Sequence, residues 1–222
     1  MTSFLGPAEE LHPDLKDCLY QQGGYTHLKH PLVFSIFYVP ELNANLNRML
    51  RLKRDAIEKN LASGDYEAVM MYHERPYRIE ALLTYKAAMP LKKYWECLAY
   101  VWTDSENLES YGVRTLRSLL TAYKGKGREA MMQPDERAAF AKLPEKVKVY
   151  HGYDPKGKPQ PFSWSTDKKV ATWFAKRFGC KGWVKSGTVA RKDIWAYLTR
   201  RNEDEALIDP RRVTITNDAP AR

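Results

Sequence analysis

The hydrophobic pattern of the chain changes at Pro144, and this change determines the fold class that the sequence predicts. Before this residue, apolar side chains recur at helical spacing, as they do over residues 43–63, and the periodic segments stop at glycine or proline. After it, the apolar runs are short, β-prone and separated by turn residues, as strands are. The sequence therefore predicts an α+β fold, with an almost entirely helical part over residues 1–144 and a small β-rich part over residues 145–222.

The β-rich part contains one segment of helical character. Residues 167–178 place apolar side chains on one face, and either Thr166 or Asp167 can cap the helix that they form. The last residues, 217–222, are expected to form a loose tail. The predicted strands are residues 147–150, 162–165, 184–189, 194–198, 206–208 and 213–216.

Composition excludes several classes of protein. A hydrophobic content of 44% and a charged content of 28% are ordinary for a globular protein. No stretch approaches the roughly 20 apolar residues of a membrane span, and the first residues do not resemble a signal peptide. The three cysteines, Cys18, Cys97 and Cys180, are scattered singly, which favours a reducing compartment over a disulfide framework. We therefore expect a cytoplasmic protein with no membrane partner.

The positive charge is concentrated in the last third of the chain. Residues 1–140 contain 18 Lys+Arg and 18 Asp+Glu, so the whole net charge of +9 lies in residues 141–222. A basic field of this kind favours an anionic ligand or partner, such as a dinucleotide pyrophosphate, a nucleic acid or an acidic protein. A contribution to solubility alone is the alternative.

Two weaker patterns do not indicate a site. His27 and His30 follow Cys18, but their spacing matches no zinc motif and no second ligand pair follows, so no metal is predicted. The loop at residues 124–128 combines glycines with positive charges without the phosphate-binding P-loop pattern. A connection between two helices is the favoured interpretation of that loop.

Polar residues in the last third form three short clusters, each at the end of a predicted strand or helix. By the two-residue period of a strand, Ser163 and Ser165 share one side, and so do Glu203 and Glu205 if the chain there is extended. We expect the clusters to fold together so that an imidazole, a hydroxyl and a carboxylate line one groove. The clusters are His151-Gly152, Ser163-Trp164-Ser165-Thr166 and Glu203-Asp204-Glu205.

This set of groups matches what cleavage of a nicotinamide–ribose bond requires. The ribose becomes cationic as the base departs, so a rigid carboxylate such as Glu205 stabilises the developing charge. Glu203 is then available for the incoming nucleophile. The imidazole of His151 can bind a ribose hydroxyl, and Gly152 lets the main chain approach a flat carboxamide. Trp164 and Phe174 are candidate walls for the nicotinamide ring, although core packing explains them equally well.

Each cluster also has an ordinary structural explanation. His151 is compatible with a core histidine, residues 163–166 with a simple helix cap, and residues 203–205 with a solvated turn. Only the occurrence of all three in this order favours a site.

Residues 147–210 resemble the mono-ADP-ribosyltransferase superfamily, whose motifs are a strand ending in Arg-Gly, then Ser-x-Ser, then Glu-x-Glu. Ser163-Trp164-Ser165 is similar to the second motif, and Glu203-Asp204-Glu205, followed by apolar residues and Pro210, to the third. At the position of the first motif, this chain has His151-Gly152. The branch with Ser-x-Ser and Glu-x-Glu motifs normally has Arg-Gly there, whereas the diphtheria-toxin and poly-ADP-ribose branch has His-Gly. The whole chain also resembles uncharacterised phage and bacterial proteins with a helical leader before such a domain.

The resemblance implies an NAD-dependent ADP-ribosyltransferase with a small split-sheet core over residues 145–222, completed by the helical leader of residues 1–144. Glu205 is similar to the catalytic glutamate that binds the nicotinamide ribose, and Glu203 to the residue associated with arginine acceptors. NAD is the implied co-substrate, and the implied partner is a protein acceptor, in the host cytoplasm if the protein is phage-encoded. The implied cofactor-binding residues are His151, Gly152, Ser163, Ser165, Thr166, Trp164 and Phe174.

Two other functions remain open at this point. The first is that of a non-catalytic relative that binds NAD or a protein, which the histidine at the usual arginine position suggests. The second is that of a basic nucleic-acid-binding protein. The sequence disfavours the nucleic-acid interpretation, because no recognisable pattern of clustered exposed aromatic residues is present.

Overall fold

The computed structural model describes residues 9–35, 37–105, 108–157, 161–179 and 181–221, so Cys180 lies outside the described residues. The fold combines helices with antiparallel sheets, which confirms the mixed α and β class expected from the sequence. The chain divides into two compact units, Met1–Glu106 and Asn107–Arg222.

Within the described residues, the first unit contains a short helix and a small sheet, followed by four further α-helices. Gly64 adopts a left-handed φ of 75° and ends α2, and the Asp65 side chain accepts from Ala68 N to begin α3, as helix ends commonly do. Its elements within the described residues are α1 (Pro13–Lys16), β1 (Leu19–Gln22), β2 (Tyr25–His30), β3 (Val33–Ser35), α2 (Asn43–Ser63), α3 (Tyr66–Tyr72), α4 (Arg78–Tyr85) and α5 (Leu91–Asp104).

The prediction of an almost entirely helical first part is wrong at β1–β3, which form an antiparallel sheet in that order. Gly23 and Gly24 both have positive φ, 60° and 81°, as the two-residue turn of a hairpin requires. The strands were missed because few of their side chains are fully buried, Leu28 and Val33 among them, so their hydrophobic pattern is weak.

The second unit contains the predicted strands and three α-helices among its described residues. All six predicted strands are confirmed to within a few residues. The change from helix to strand lies between α7 and β4. The compact unit itself starts earlier, at Asn107. Its elements are α6 (Gly112–Leu120), α7 (Pro134–Lys142), β4 (Lys146–Tyr153), β5 (Ser163–Ser165), α8 (Lys168–Lys176), β6 (Trp183–Ala190), β7 (Ile194–Leu198), β8 (Glu205–Ile208) and β9 (Thr214–Pro220).

In the described part of this unit, six strands form one antiparallel sheet in the order β7-β8-β5-β4-β6-β9. The expected loose tail is wrong, because β9 extends to Pro220 and pairs with β6. Most β9 side chains are exposed, so the strand depends on main-chain pairing that a hydrophobic pattern cannot reveal.

Helix α8 packs very closely on the centre of this sheet. Ala171 and Ala175 of the helix form a buried cluster with Val184, against which Tyr150 packs. A Cβ atom at Gly152 would lie 1.8 Å from the carbonyl oxygen of Ala171, so only glycine admits the helix main chain here. This packing defines the α8 face of the sheet, on which Tyr150, Gly152 and Val184 lie.

Candidate functional site

The three motif strands are neighbours in the sheet. β8, β5 and β4 are consecutive in the strand order, with Ser165 paired with Glu205 on one side and with Tyr150 on the other. Residues far apart in the chain, such as Ser163 and Glu205, which are 42 positions apart, therefore meet in adjacent strands.

Ser163 and Glu205 form the central contact of the candidate site. Strand alternation puts Ser163, Ser165 and Glu205 on the α8 face, because Ser165 is paired directly with both Glu205 and Tyr150. The Ser163 hydroxyl donates a hydrogen bond to Glu205 Oε1. Glu205 is only 9% exposed, and a buried carboxylate is stable only when such donors compensate for lost water. The hydroxyl thus fixes the direction of the carboxylate.

His151 contributes through its contact with the β5 main chain. Its Nδ1 lies 2.8 Å from the carbonyl oxygen of Ser163, so Nδ1 carries the proton in this contact. The ring stacks on Tyr153, with centroids 5.7 Å apart, and lies 5.3 Å from the Trp164 ring. Burial lowers the pKa of His151, which keeps the imidazole neutral near pH 7.

The expectation that imidazole, hydroxyl and carboxylate line one groove does not match the strand alternation. His151 follows Tyr150 and lies beside Trp164, so its ring is on the sheet face opposite Glu205. His151 is linked to Glu205 through Ser163, whose carbonyl oxygen binds the imidazole and whose hydroxyl binds the carboxylate. Binding of NAD by His151 itself remains a prediction.

Gly152 has a structural explanation in this fold. The space into which its side chain would project is filled by the main chain of Ala171. Close approach of a ligand carboxamide, the role expected from the sequence, is therefore not needed to explain why glycine stands there.

The predicted alternation between Glu203 and Glu205 fails. Glu203 has helical backbone angles (φ −98°, ψ −12°) and Asp204 has a positive φ of 45°, so the chain is bent rather than extended before β8. Burial raises the pKa of Glu203, partly offset by the charges of Arg201 and Arg177. Its carboxylate forms an ion pair with Arg201 at 3.7 Å.

Ser165 and Thr166 bind the chain segment that leads into β8. The Ser165 hydroxyl donates to the carbonyl oxygen of Glu203 at 2.9 Å and accepts from Asp167 N at 3.0 Å. Thr166 N donates to the carbonyl oxygen of Asp204 at 3.1 Å. Of the two capping candidates, Asp167 is the N-cap of α8, accepting from Lys169 N. In this structure both residues therefore hold the loop, and direct ligand binding by them stays a prediction.

The two aromatic candidates differ in exposure. Trp164 is 3% exposed and its Nε1 donates to the carbonyl oxygen of Pro161 at 2.9 Å, so it is a core residue. Phe174 is half-buried; Trp173 meets its ring edge-on, and the Arg177 guanidinium lies 5.1 Å from its centre. Phe174 is thus the more accessible candidate for a ligand contact.

Glu136 was missed at the sequence level. It is 2% exposed and accepts hydrogen bonds from Thr199 N and from the guanidinium of Arg200. Its position three residues after Gln133, at the start of α7, is typical of a glutamate that accepts from a main-chain N–H there, as it does from Gln133 N. Its pairing with a residue 64 positions away is not readable from the sequence, because no local pattern encodes so distant a contact.

Comparisons of the chain with protein-family models, with curated proteins and with solved structures gave no significant match. No helix in the described ranges combines the length and apolar character needed to cross a bilayer. Across the same ranges, no three His, Cys, Asp or Glu side chains are grouped as metal ligands would be.

Proposed function

We propose that this protein transfers ADP-ribose from NAD to an arginine side chain of a protein, through a split-sheet core of the ADP-ribosyltransferase type. The observation that supports this best is the hydrogen bond from Ser163 to Glu205. It joins the Ser-x-Ser and Glu-x-Glu motifs on adjacent strands and directs a buried carboxylate.

In this proposal the bond between nicotinamide and C1′ of the ribose breaks first. Nicotinamide leaves with the bonding electron pair, and the ribose becomes an oxocarbenium-like cation that the Glu205 carboxylate stabilises. Because Ser163 already holds Glu205, little reorganisation is needed as charge develops. A guanidinium nitrogen of the acceptor then bonds to C1′, and Glu203 takes the proton that this nitrogen loses. The raised pKa of Glu203 favours that proton transfer.

The charge of the last third supports an anionic co-substrate. Residues 141–222 contain the whole net charge of +9, and Lys168 and Lys169 begin α8 beside β5. Such a field attracts the pyrophosphate of NAD, and helix N-termini add to that attraction.

A second candidate function is a non-catalytic relative that binds NAD or a protein. It is favoured by one observation, the His151 ring lying with Trp164 on the sheet face opposite Glu205. In that case Ser163 and Glu205 stabilise the fold without performing chemistry.

The test uses NAD labelled in its adenylate half, with agmatine as a small guanidine acceptor. We expect the wild-type protein to form ADP-ribosyl-agmatine and Glu205→Gln, which keeps an acceptor for Ser163, to be slower by roughly 10²–10³-fold. Circular dichroism and thermal melting establish that the variant is folded.

Three outcomes separate the candidates. Equal rates for the two proteins would remove Glu205 from the reaction. A rise in Tm with NAD but no turnover would support the non-catalytic relative. The absence of both turnover and a Tm shift at millimolar NAD would refute NAD binding altogether.

A further inference from the structure

The loop at residues 199–204, between β7 and β8, has an unusual main-chain conformation. Arg201, Asn202 and Asp204 have positive φ angles of 64°, 57° and 45°. For residues other than glycine this region is sterically strained, so it persists only where surrounding contacts hold it. Glu203 lies inside this segment and depends on those contacts for its direction.

The end of the loop nearest β8 is held by β5 and the residue after it. The Ser165 hydroxyl donates to the carbonyl oxygen of Glu203, and Thr166 N donates to that of Asp204. Ser165 belongs to the motif strand that also contacts Glu205, and Thr166 directly follows that strand.

The other end is held by Glu136 of α7. One carboxylate oxygen, Oε1, lies 3.0 Å from both Thr199 N and Arg200 Nε, and Oε2 lies 2.8 Å from Arg200 Nη2. Arg200 Nη2 also donates to the carbonyl oxygen of Met131 at 2.9 Å. The carboxylate is itself fixed by Gln133 N, which donates to Oε2 at 2.8 Å. Thus one buried side chain binds both the main chain and the side chain at the start of the loop.

Stability alone is a weak explanation for this arrangement. A buried ion pair is often no more stabilising than apolar residues of similar volume, because two charges lose their water. The pair of Glu136 and Arg200 instead fixes the orientation of both side chains, because a planar guanidinium in a two-point contact admits one orientation. The loop is therefore fixed at both ends, by Glu136 at Thr199 and Arg200 and by β5 at Glu203 itself.

We infer that Glu136 is a positioning residue for the proposed reaction: by anchoring Thr199 and Arg200, it holds the loop so that Glu203 meets the acceptor nitrogen rather than leaving the ribosyl cation to water. This inference rests on the proposed function. It predicts that loss of the anchor changes the outcome of NAD cleavage more than its rate.

The experiment compares Glu136→Gln with Asp209→Asn. Asp209 is a matched control because it is also buried, 6% exposed, and paired with arginines, Arg117 and Arg211, but at the far end of β8. Both proteins react with NAD and agmatine, and ADP-ribosyl-agmatine and free ADP-ribose are measured together.

For Glu136→Gln we expect the ratio of transfer to hydrolysis to fall about tenfold or more, since small misplacements of a reacting group cost that much. For Asp209→Asn we expect the ratio to stay within about twofold of wild type, although both changes lower Tm. A ratio that is unchanged in Glu136→Gln, or equally reduced in both variants, would overturn the inference. If Glu136→Gln does not fold, Arg200→Lys is tested instead. This change keeps the positive charge but loses the two-point contact, and the same fall in the ratio of transfer to hydrolysis is expected.

Limited trypsin digestion provides a readout that does not depend on activity. Cleavage after Arg200 and Arg201, identified by mass spectrometry, is expected to accelerate at least about fivefold in Glu136→Gln and to stay near wild type in Asp209→Asn. Equal cleavage in wild type and Glu136→Gln would contradict the anchor. If the wild-type protein turns over no NAD, the proposed function fails and the digestion alone decides whether Glu136 holds the loop.

Discussion

At the scale of single residues, two buried carboxylates of the second unit, Glu136 and Asp209, differ from the half-buried Glu203 in how their charge is compensated. Burial opposes ionisation of Asp209, but hydrogen bonds from Arg211 and Arg117 outweigh it and hold its pKa at about 2. Burial likewise opposes ionisation of Glu136, and hydrogen bonds from Arg200 and Gln133 again prevail, lowering its pKa. Glu203 is different, because burial prevails and its pKa is raised. Of these three, Glu203 is the best suited to accept a proton near neutral pH.

The pKa of His151 leads to a prediction about stability and pH. Burial lowers this pKa in the folded protein, and Lys185 adds to the effect, while the Ser163 carbonyl and Asp218 oppose it. As the pH falls below about 6.5, the unfolded chain therefore binds a proton that the folded protein does not, and stability is lost. In His151→Gln, whose amide can still donate to Ser163, we expect the loss of unfolding free energy between pH 7 and pH 5 to be smaller.

Urea unfolding at each pH measures this free energy. His30 and His73 also have pKa values lowered by burial, but they are present in both proteins, so the difference isolates His151. Between pH 7.5 and 8.5 the two proteins should show the same pH dependence. If their curves also stay parallel down to pH 5, folding does not lower the pKa of His151.

At the scale of elements, the strands of the second unit were predictable because their apolar runs are short and bounded by turn residues. The neighbouring positions of Ser163 and Glu205 followed from motif order, and the two-residue period correctly put Ser163 and Ser165 on one face. The same period failed at Glu203, because three residues with positive φ bend the loop and none of them is glycine. The opposite face for His151 was also unforeseen, since it depends on the register between β4 and β5.

The close contact between α8 and β4 makes position 152 sensitive to any added side chain. Gly152→Ala would put a methyl group 1.8 Å from the Ala171 carbonyl oxygen, so the helix must move away from the strand. We expect a loss of about 1–3 kcal/mol in the free energy of unfolding, measured with urea.

Gly157→Ala is the matched control for this change. Its added methyl group would lie 3.4 Å from the nearest atoms of Asp154, an ordinary contact, and its φ is not in the left-handed region. Stability within about 0.5 kcal/mol of wild type is expected there. Equal losses in the two variants would mean that α8 does not pack as closely as the structure shows.

At the scale of the whole molecule, charge is distributed unequally between the two compact units. Residues 107–222 contain 24 basic and 13 acidic side chains, a net charge of +11, whereas residues 1–106 contain 12 and 14, a net charge of −2. The proposed site lies entirely in the basic unit. A basic field attracts NAD but repels a basic acceptor, so an arginine on an acidic surface is the better substrate.

The field of the basic unit predicts how acceptor peptides should be ranked. With NAD saturating, a peptide whose arginine is flanked by glutamates should be modified faster than one flanked by serines, and a lysine-flanked peptide should be slowest. The differences should be several-fold at low ionic strength and should shrink at 0.5 M NaCl, where the screening length is only a few ångströms. Label incorporation from NAD into each peptide measures the rates. A lysine-flanked peptide that reacts fastest at low salt would show that local contacts, not the field of the basic unit, select the acceptor.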